Sequence, residues 1–191
     1  MSTAIAAERL LTGEDLFALG DIGPCELIDG RIVHLSPTGE EHANIEFILG
    51  PALAAYVRER NLGRVVGGEV GIYTRRGPDR VRGADIAFIS KRRASARPEK
   101  GFLQVAPDLV VEIVSPTDRW QDVRQKVEEY FAIGVDRVWV VEPENRAVVV
   151  FRSAVEMQRL GLADTLRGEG DLAGFAIPVA DLFQAETAEG A

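Results

Sequence analysis

A predicted strand with a carboxylate in its middle is followed by a predicted helix that carries a lysine. The strand covers residues 109–114, an apolar run interrupted by Glu112, and the lysine is Lys126, one of only three in the chain. A short run rich in β-branched residues between proline-containing breakers predicts a strand buried on both faces. A carboxylate is costly there unless it is paired, hydrogen-bonded or bound to a metal. Lys126 borders the apolar stripe of its helix, so we predict a buried Glu112–Lys126 ion pair.

Two further acids are candidates for the same site. Asp85 is expected near the beginning of a strand adjacent to the Glu112 strand, and Glu26 lies on a predicted N-terminal hairpin. Carboxylates on neighbouring strands can bind Mg²⁺, which prefers hard oxygen ligands, and the backbone carbonyl of Ile113 can add another ligand. With Lys126 to orient or help deprotonate a metal-bound water, such a group is what metal-assisted phosphodiester hydrolysis requires.

Each candidate also has a purely structural interpretation. The buried acid–lysine pair can be an ion pair alone, although burying both charges for stability seldom helps. Asp85 is an ordinary residue at a strand start, and Glu26 can simply face solvent. His42 begins a long predicted helix, where a histidine is more often packed or exposed than functional. With Glu46 four residues later, however, His42 can reach a metal-bound phosphate or water as an accessory residue.

A basic segment precedes the Glu112 strand. Residues 58–100 contain twelve basic and five acidic side chains, a net charge of +7 in a chain whose total is -8 at pH 7. Such asymmetry indicates either a local anion-binding surface or a solvated, arginine-rich loop. If this surface binds nucleic acid, we expect sequence-independent phosphate contacts from Arg75, Arg76, Arg80, Arg82, Arg92 and Arg93.

The elements that position these residues mix strands and helices. Asp29-Gly30 between apolar runs predicts a hairpin, and a helix is expected over residues 40–60. Short strands are predicted on either side of Gly67-Gly68, and another covers residues 83–89. The helix after the central strand is expected to be capped by Thr117 or Asp118 and to end at Gly134.

The second half of the chain predicts further strands. Residues 136–141 and 147–151 form a predicted hairpin, with weaker strands near 156–160 and 175–177 and a helical turn over 180–183. The segment from residue 109 to residue 141 has the length of a right-handed βαβ unit, so its two strands should be parallel. The predicted fold class is α/β, or α+β by a stricter definition, with a mixed central sheet flanked by helices.

Length and composition set wider limits. We expect a single domain, with a core over about residues 21–152, C-terminal strands over about 153–184 and a disordered tail over 185–191. No segment approaches the ~20 apolar residues that a membrane span needs, and the start lacks a signal-peptide pattern. Cys25 is the one cysteine, so no disulfide framework is expected. These features predict a cytoplasmic protein without a membrane partner.

Around Glu26, His42, Asp85, Glu112 and Lys126, the sequence resembles the Uma-two family of restriction-endonuclease-like proteins, within the PD-(D/E)XK nuclease superfamily. The resemblance covers about residues 26–151, and the order and spacing of its parts are specific together. The matching parts are ELIDG at 26–30, His42, GADIA at 83–87, PDLVVEIVSP at 107–116, KVEEY at 126–130 and GVDRVW at 134–139.

The resemblance implies a restriction-endonuclease-like sheet in which Asp85 and Glu112 bind Mg²⁺ or Mn²⁺ and Glu26 is the supporting acid. The superfamily usually has a lysine two residues after the second acid, where this chain has Val114. In the Uma-two family the lysine has moved to the following helix, where Lys126 stands. The implied function is a metal-dependent endonuclease acting on DNA, with a homodimer favoured if both strands are cut. The alternatives are a nucleic-acid or protein-binding module without catalysis, and an interaction protein whose acid–lysine cluster is structural.

Overall fold

The computed structural model describes residues 9–94 and 100–184, so the tail predicted over 185–191 lies outside the described residues. The helices are α1 (Gly13–Ala18), α2 (Glu40–Glu59) and α3 (Trp120–Ala132), with short 3₁₀ helices at Gly170–Leu172 and Val179–Phe183. The strands are β1 (Cys25–Ile28), β2 (Arg31–His34), β3 (Gly63–Arg75), β4 (Arg80–Ser90), β5 (Leu109–Ile113), β6 (Arg137–Glu142), β7 (Ala147–Phe151), β8 (Met157–Leu160), β9 (Thr165–Arg167) and β10 (Ala176–Pro178). Within these ranges, no helix is both long and apolar enough to cross a membrane.

A mixed sheet lies between the two longer helices, which confirms the predicted fold class. Its strand order is β2-β1-β4-β5-β6-β7-β8, with β3 paired to β4. Strands β5 and β6 are parallel, as predicted, and α3 connects them. The buried side chains of α2, among them Ile45 and Leu49, pack on one face of the sheet, and those of α3, among them Val127, pack on the other. Burying each such Leu or Ile contributes about 1.5–3 kcal/mol to stability.

Strand β4 organises the centre of the sheet because two strands share one of its edges. β3 pairs with β4 along almost its whole length. The opposite edge is taken by β1 at Val81 and by β5 from Ile86 to Phe88. Residues 82–85 therefore lie between the ends of β1 and β5, where side chains from both strands can converge.

Three predicted boundaries are wrong. Gly67-Gly68 does not separate two strands: β3 is continuous, with a bulge between Gly67 and Val70 in which Glu69 has a φ of 58°. Strand β4 begins at Arg80 rather than residue 83, so Asp85 lies in its middle. Helix α3 begins at Trp120 with Arg119 as its N-cap residue, and neither Thr117 nor Asp118 caps it; the Asp118 carboxylate instead accepts the Ser115 N–H in the preceding turn.

Other predictions of local structure are confirmed. The Asp29-Gly30 hairpin joins β1 and β2, and both turn residues have positive φ, 55° and 76°, as a two-residue hairpin turn requires. The β6–β7 hairpin is present. The C-terminal part adds a strand that the sequence did not indicate, β9, which pairs with β10. Leu166 of β9 belongs to the same core as α2, so this part of the chain packs on the main sheet.

Candidate active site

The Lys126 ammonium lies between two buried carboxylates in the gap between β1 and β5. Its Nζ is 3.1 Å from Glu112 Oε2 and 3.0 Å from Glu26 Oε1. Glu112 lies two residues after Val110 on β5, so both side chains point to the same face of the sheet. Val110 belongs to the core beneath α3, and the Glu112 side chain therefore points toward that helix. One helical turn after Lys126, the Tyr130 hydroxyl donates to Glu112 Oε1 at 2.6 Å. The predicted ion pair is present, and Glu26 joins it.

Glu112 and Lys126 differ in how firmly each keeps its charge at neutral pH. Burial raises the pKa of Glu112 to about 7, against the attraction of Lys126. Burial alone would lower the pKa of Lys126, but Glu112 and Glu26 raise it well above its ordinary value. The lysine is therefore an ammonium at neutral pH, suited to stabilising negative charge and orienting a water molecule. With a pKa of about 7, Glu112 is partly protonated at neutral pH, and a bound cation would displace that proton.

Asp85 lies close enough to this pair that its charge acts on Glu112, and it is held from two sides. Its Oδ2 accepts the Ile113 N–H at 2.6 Å, and its Oδ1 is 3.3 Å from His42 Nε2. The N–H and C=O of one strand residue point to the same edge. The Ile113 carbonyl therefore also points toward the edge where Asp85 lies, as its predicted role as a ligand requires.

Helix α2 brings His42 and Glu46 to the same place. His42, Glu46 and Asp85 each offer a ligand atom, and these atoms lie within 4.8 Å of one another. His42 is only 7% exposed, and its Nδ1 has no hydrogen-bond partner in the described part of the chain. Burial lowers the pKa of His42, but the hydrogen bond to Asp85 and its charge outweigh this effect and raise the pKa.

Glu69 also reaches the site, from the β3 bulge. The bulge is tied to α2 because the Gly68 N–H donates to Glu46 Oε1 at 2.9 Å. The Glu69 carboxylate lies over Gly83, where an added Cβ would be 2.5 Å from Oε2. Although much of the residue is exposed, partial burial of its carboxylate and the charge of Asp85 raise the pKa of Glu69.

Glu26 is fixed by an arginine–carboxylate network. Arg82 Nη1 is 2.8 Å from Glu26 Oε2, and its Nε is 2.7 Å from Glu129 Oε2. The Gly83 N–H also donates to Glu26 Oε1, at 3.1 Å. Arg80 contacts the same Glu129. Both arginines are buried, so neither is open to a phosphate without breaking these pairs, in contrast to the role we expected for them.

The other four arginines expected to contact phosphates lie elsewhere and are also paired with acids. Arg75 pairs with Asp29, Arg76 with Glu14 and Asp79, and Arg92 and Arg93 both with Asp108. The side chains of Arg75, Arg76 and Arg92 are largely exposed, whereas that of Arg93 is mostly covered. The structure does not bring these four to the acid–lysine cluster through any contact among the described residues.

Sequence reasoning missed four residues of this site. Tyr130 and Glu129 appeared only within KVEEY at 126–130, and neither was given a role. Glu46 was considered only as a companion of His42, and Glu69 was not considered. The acid directly after Gly67-Gly68 was the one available signal for Glu69, because such a pair can mark a bulge.

Comparison with known proteins identifies a similar crystal structure and a family. A crystal structure of a protein from Anabaena variabilis, titled a putative nuclease belonging to DUF820, matches with a TM-score of 0.77 over 91% of this chain and 97% of that chain. The two sequences are 19% identical, so the match shows a common fold. No curated protein matches. The model of the Uma2 family, described as "Putative restriction endonuclease", matches residues 14–180, and because this is most of the chain, the protein belongs to the Uma2 family.

Proposed function

We propose that this protein is a metal-dependent endonuclease that hydrolyses phosphodiester bonds in DNA. The observation that carries the proposal is the convergence of Asp85, Glu112 and Lys126 at the gap between β1 and β5. Membership of a family described as restriction endonucleases supports nuclease-like chemistry. The metal requirement, the DNA substrate and the residue roles are our inference.

The donor set fits a divalent cation such as Mg²⁺ or Mn²⁺. Asp85 and Glu112 are buried carboxylates, and the Ile113 carbonyl faces the Asp85 edge, which gives hard oxygen ligands on neighbouring strands. Burial raises the pKa of Glu112 because it disfavours the ionised carboxylate, and a bound cation would stabilise that ionised form. When bound, the metal would supply Lewis acidity and a water of lowered pKa.

The chain's own residues would then position the reacting groups. The Lys126 ammonium would orient the attacking water or stabilise charge on the phosphate, and Glu26 would hold Lys126 in place. Tyr130 would hold Glu112 through its hydroxyl. Arg75, Arg76 and Arg92, which are exposed, and Arg93, the neighbour of Arg92, remain candidates for phosphate contacts, since surface ion pairs are weak. Cutting both strands would favour a homodimer.

Plasmid nicking tests the proposal directly. We expect the full chain to convert supercoiled DNA to nicked and linear forms with Mg²⁺ or Mn²⁺, and EDTA to stop the reaction. Asp85→Asn and Glu112→Gln should each reduce cleavage to background. Glu128→Gln, at an exposed position of α3, is the matched control and should cleave as wild type. Cleavage that persists in Glu112→Gln would refute the assignment.

One observation favours an alternative function as a nucleic-acid-binding module. Each carboxylate of the acid–lysine cluster already has donors from the chain, so the site is internally satisfied without a cation. That alternative predicts DNA binding that is unchanged by EDTA and by Glu112→Gln, with no cleavage under any metal. The same set of variants therefore separates the two functions.

A further inference from the structure

We propose that the cavity between α1, the loop that follows it and Glu69 of β3 binds one nucleobase, so that the preferred substrate is single-stranded or locally unpaired DNA. The inference rests on the proposed function, because it takes the base to belong to a nucleotide beside the phosphate at the acid–lysine cluster. It adds to that function a class of substrate and a residue that recognises it, Phe17.

The cavity adjoins the proposed active site. It has a volume of about 370 Å³, and Glu69 forms part of its wall. The charges of Asp85, Lys126 and Glu26 act on the Glu69 carboxylate, so this side chain belongs to both places. Because a nucleotide joins its base to its phosphate through one sugar, a phosphate at the cluster can place a neighbouring base at the cavity.

Two phenylalanine rings give the cavity wall a stacking surface. The ring centroids of Phe17 and Phe102 are 5.7 Å apart in an edge-to-face arrangement. The Leu103 N–H donates to the Gly71 carbonyl at 2.8 Å and fixes the backbone beside Phe102, and a Cβ on Gly71 would overlap the Phe102 ring. Phe17 is the outer ring and is 47% exposed. It can therefore stack on an incoming base, and such stacking accepts any base because each has a π-face.

The charge of the lining admits a base and not a phosphate. Among the described residues that line the cavity, Asp21 and Glu69 are acidic and none is basic. Leu16, Ile22 and Pro24 make much of the remaining wall apolar. A phosphate would be repelled by the acids and would lose its hydration against the apolar wall. A base is uncharged, and an unstacked base is held by aromatic and apolar side chains and by hydrogen bonds to its polar edge.

The cavity also determines which form of DNA fits best. A base can enter only when it lies outside the double helix, and the cost of extruding it is smallest where it is mismatched or already single-stranded. Arg80 and Arg82 are buried in pairs with acids, so stacking would supply binding that these arginines do not. Single strands and unpaired bases are therefore favoured over an intact duplex.

Binding of a single-stranded oligonucleotide that carries one 2-aminopurine, followed by its fluorescence in EDTA, tests the proposal without metal-dependent cleavage. We expect the full chain to bind this oligonucleotide more tightly than the same strand in a paired duplex. Phe17→Leu keeps an apolar side chain but removes the ring, and it should weaken single-strand binding by about five- to a hundredfold. Phe17→Trp should retain binding. Leu19→Ala, at an exposed position after the same helix and outside the cavity lining, is the matched control and should bind as wild type.

Cleavage in Mg²⁺ separates this inference from the proposed function. A duplex with one mismatch should be cut near the mismatch in preference to a fully paired duplex, and Phe17→Leu should reduce that preference at least about fivefold. Single-strand binding that depends on Phe17, with no cleavage under any metal, would refute the nuclease function and support the base site. Binding that is unchanged in Phe17→Leu, with folding checked by circular dichroism, would overturn the base site even if DNA is cut. Equal binding of single and paired strands by the wild type would also overturn it.

Discussion

Replacing Lys126 by methionine would leave two buried carboxylates without their shared cation. Removing one partner of a buried ion pair costs about 3–5 kcal/mol. Here the Lys126 side chain is 21% exposed, and Glu26 keeps its bonds from Arg82 and the Gly83 N–H. Among the residues that the structure describes, Glu112 keeps only the Tyr130 hydroxyl. We therefore expect a loss of about 2–3 kcal/mol in the free energy of unfolding at pH 8.

The loss should depend on pH with a definite sign. The pKa of Glu112 is already raised to about 7 in the folded wild type, and Lys126→Met should raise it further. A folded acid with a raised pKa holds a proton that the unfolded chain releases, so stability falls as pH rises through that pKa. At pH 5 Glu112 is protonated in both folded proteins, and the difference between them should be less than half of that at pH 8.

Urea unfolding at pH 5 and pH 8, followed by the fluorescence of buried Trp139, measures both values. The double variant Lys126→Met/Glu112→Gln should recover at least about 1 kcal/mol relative to additivity, because the two residues are in contact. Lys91→Met, at an exposed position, should change stability by less than about 0.5 kcal/mol. A loss of equal size at both pH values, or strict additivity in the double variant, would refute the reasoning.

Three further predictions concern neighbouring groups. Tyr130→Phe removes the hydroxyl donor to Glu112 and should cost about 1.5–3 kcal/mol, measured by urea unfolding. Gly83→Ala should only displace the Glu69 carboxylate, the end of a flexible and exposed side chain, so it should cost less than about 1 kcal/mol, and Glu69→Ala in the same chain should relieve that loss. Mg²⁺ affinity should rise between pH 6 and pH 8 and proton release should accompany binding, because Glu112 must lose its proton. Calorimetry in two buffers of different ionisation enthalpy checks the last prediction, and binding without proton release would contradict it.

The central pair could be predicted because its signals are local. Glu112 interrupts an apolar run, and Lys126 follows on the next helix, 14 residues later. The period of each element then determines the face on which its charged side chain lies. The parallel pairing of β5 and β6 followed in the same way from the length of the connection.

The rest of the site depends on pairing between distant segments. Arg80 and Arg82 were expected to contact phosphates from a basic segment, but the pairing of Val81 with Leu27 of the hairpin extends β4 over them and buries both. Glu69 reaches the cluster only because β3 has a bulge, and Gly67-Gly68 is equally consistent with a turn. Whether the Tyr130 hydroxyl meets Glu112 depends on how α3 is rotated on the sheet, which its apolar stripe does not determine to that accuracy.

The position of Lys126 on a helix has a consequence for folding. A lysine on a strand would be positioned by the backbone hydrogen bonds of the sheet. A loosely packed intermediate can retain those bonds. Lys126 instead reaches Glu112 and Glu26 only when the buried face of α3, with Val123 and Val127, is docked on the sheet. An intermediate with a formed sheet and a loose α3 would lack the ammonium at the acids. The acid–lysine cluster would thus be complete only after α3 has packed, so that a nascent chain would hold the sheet before it had the proposed active site.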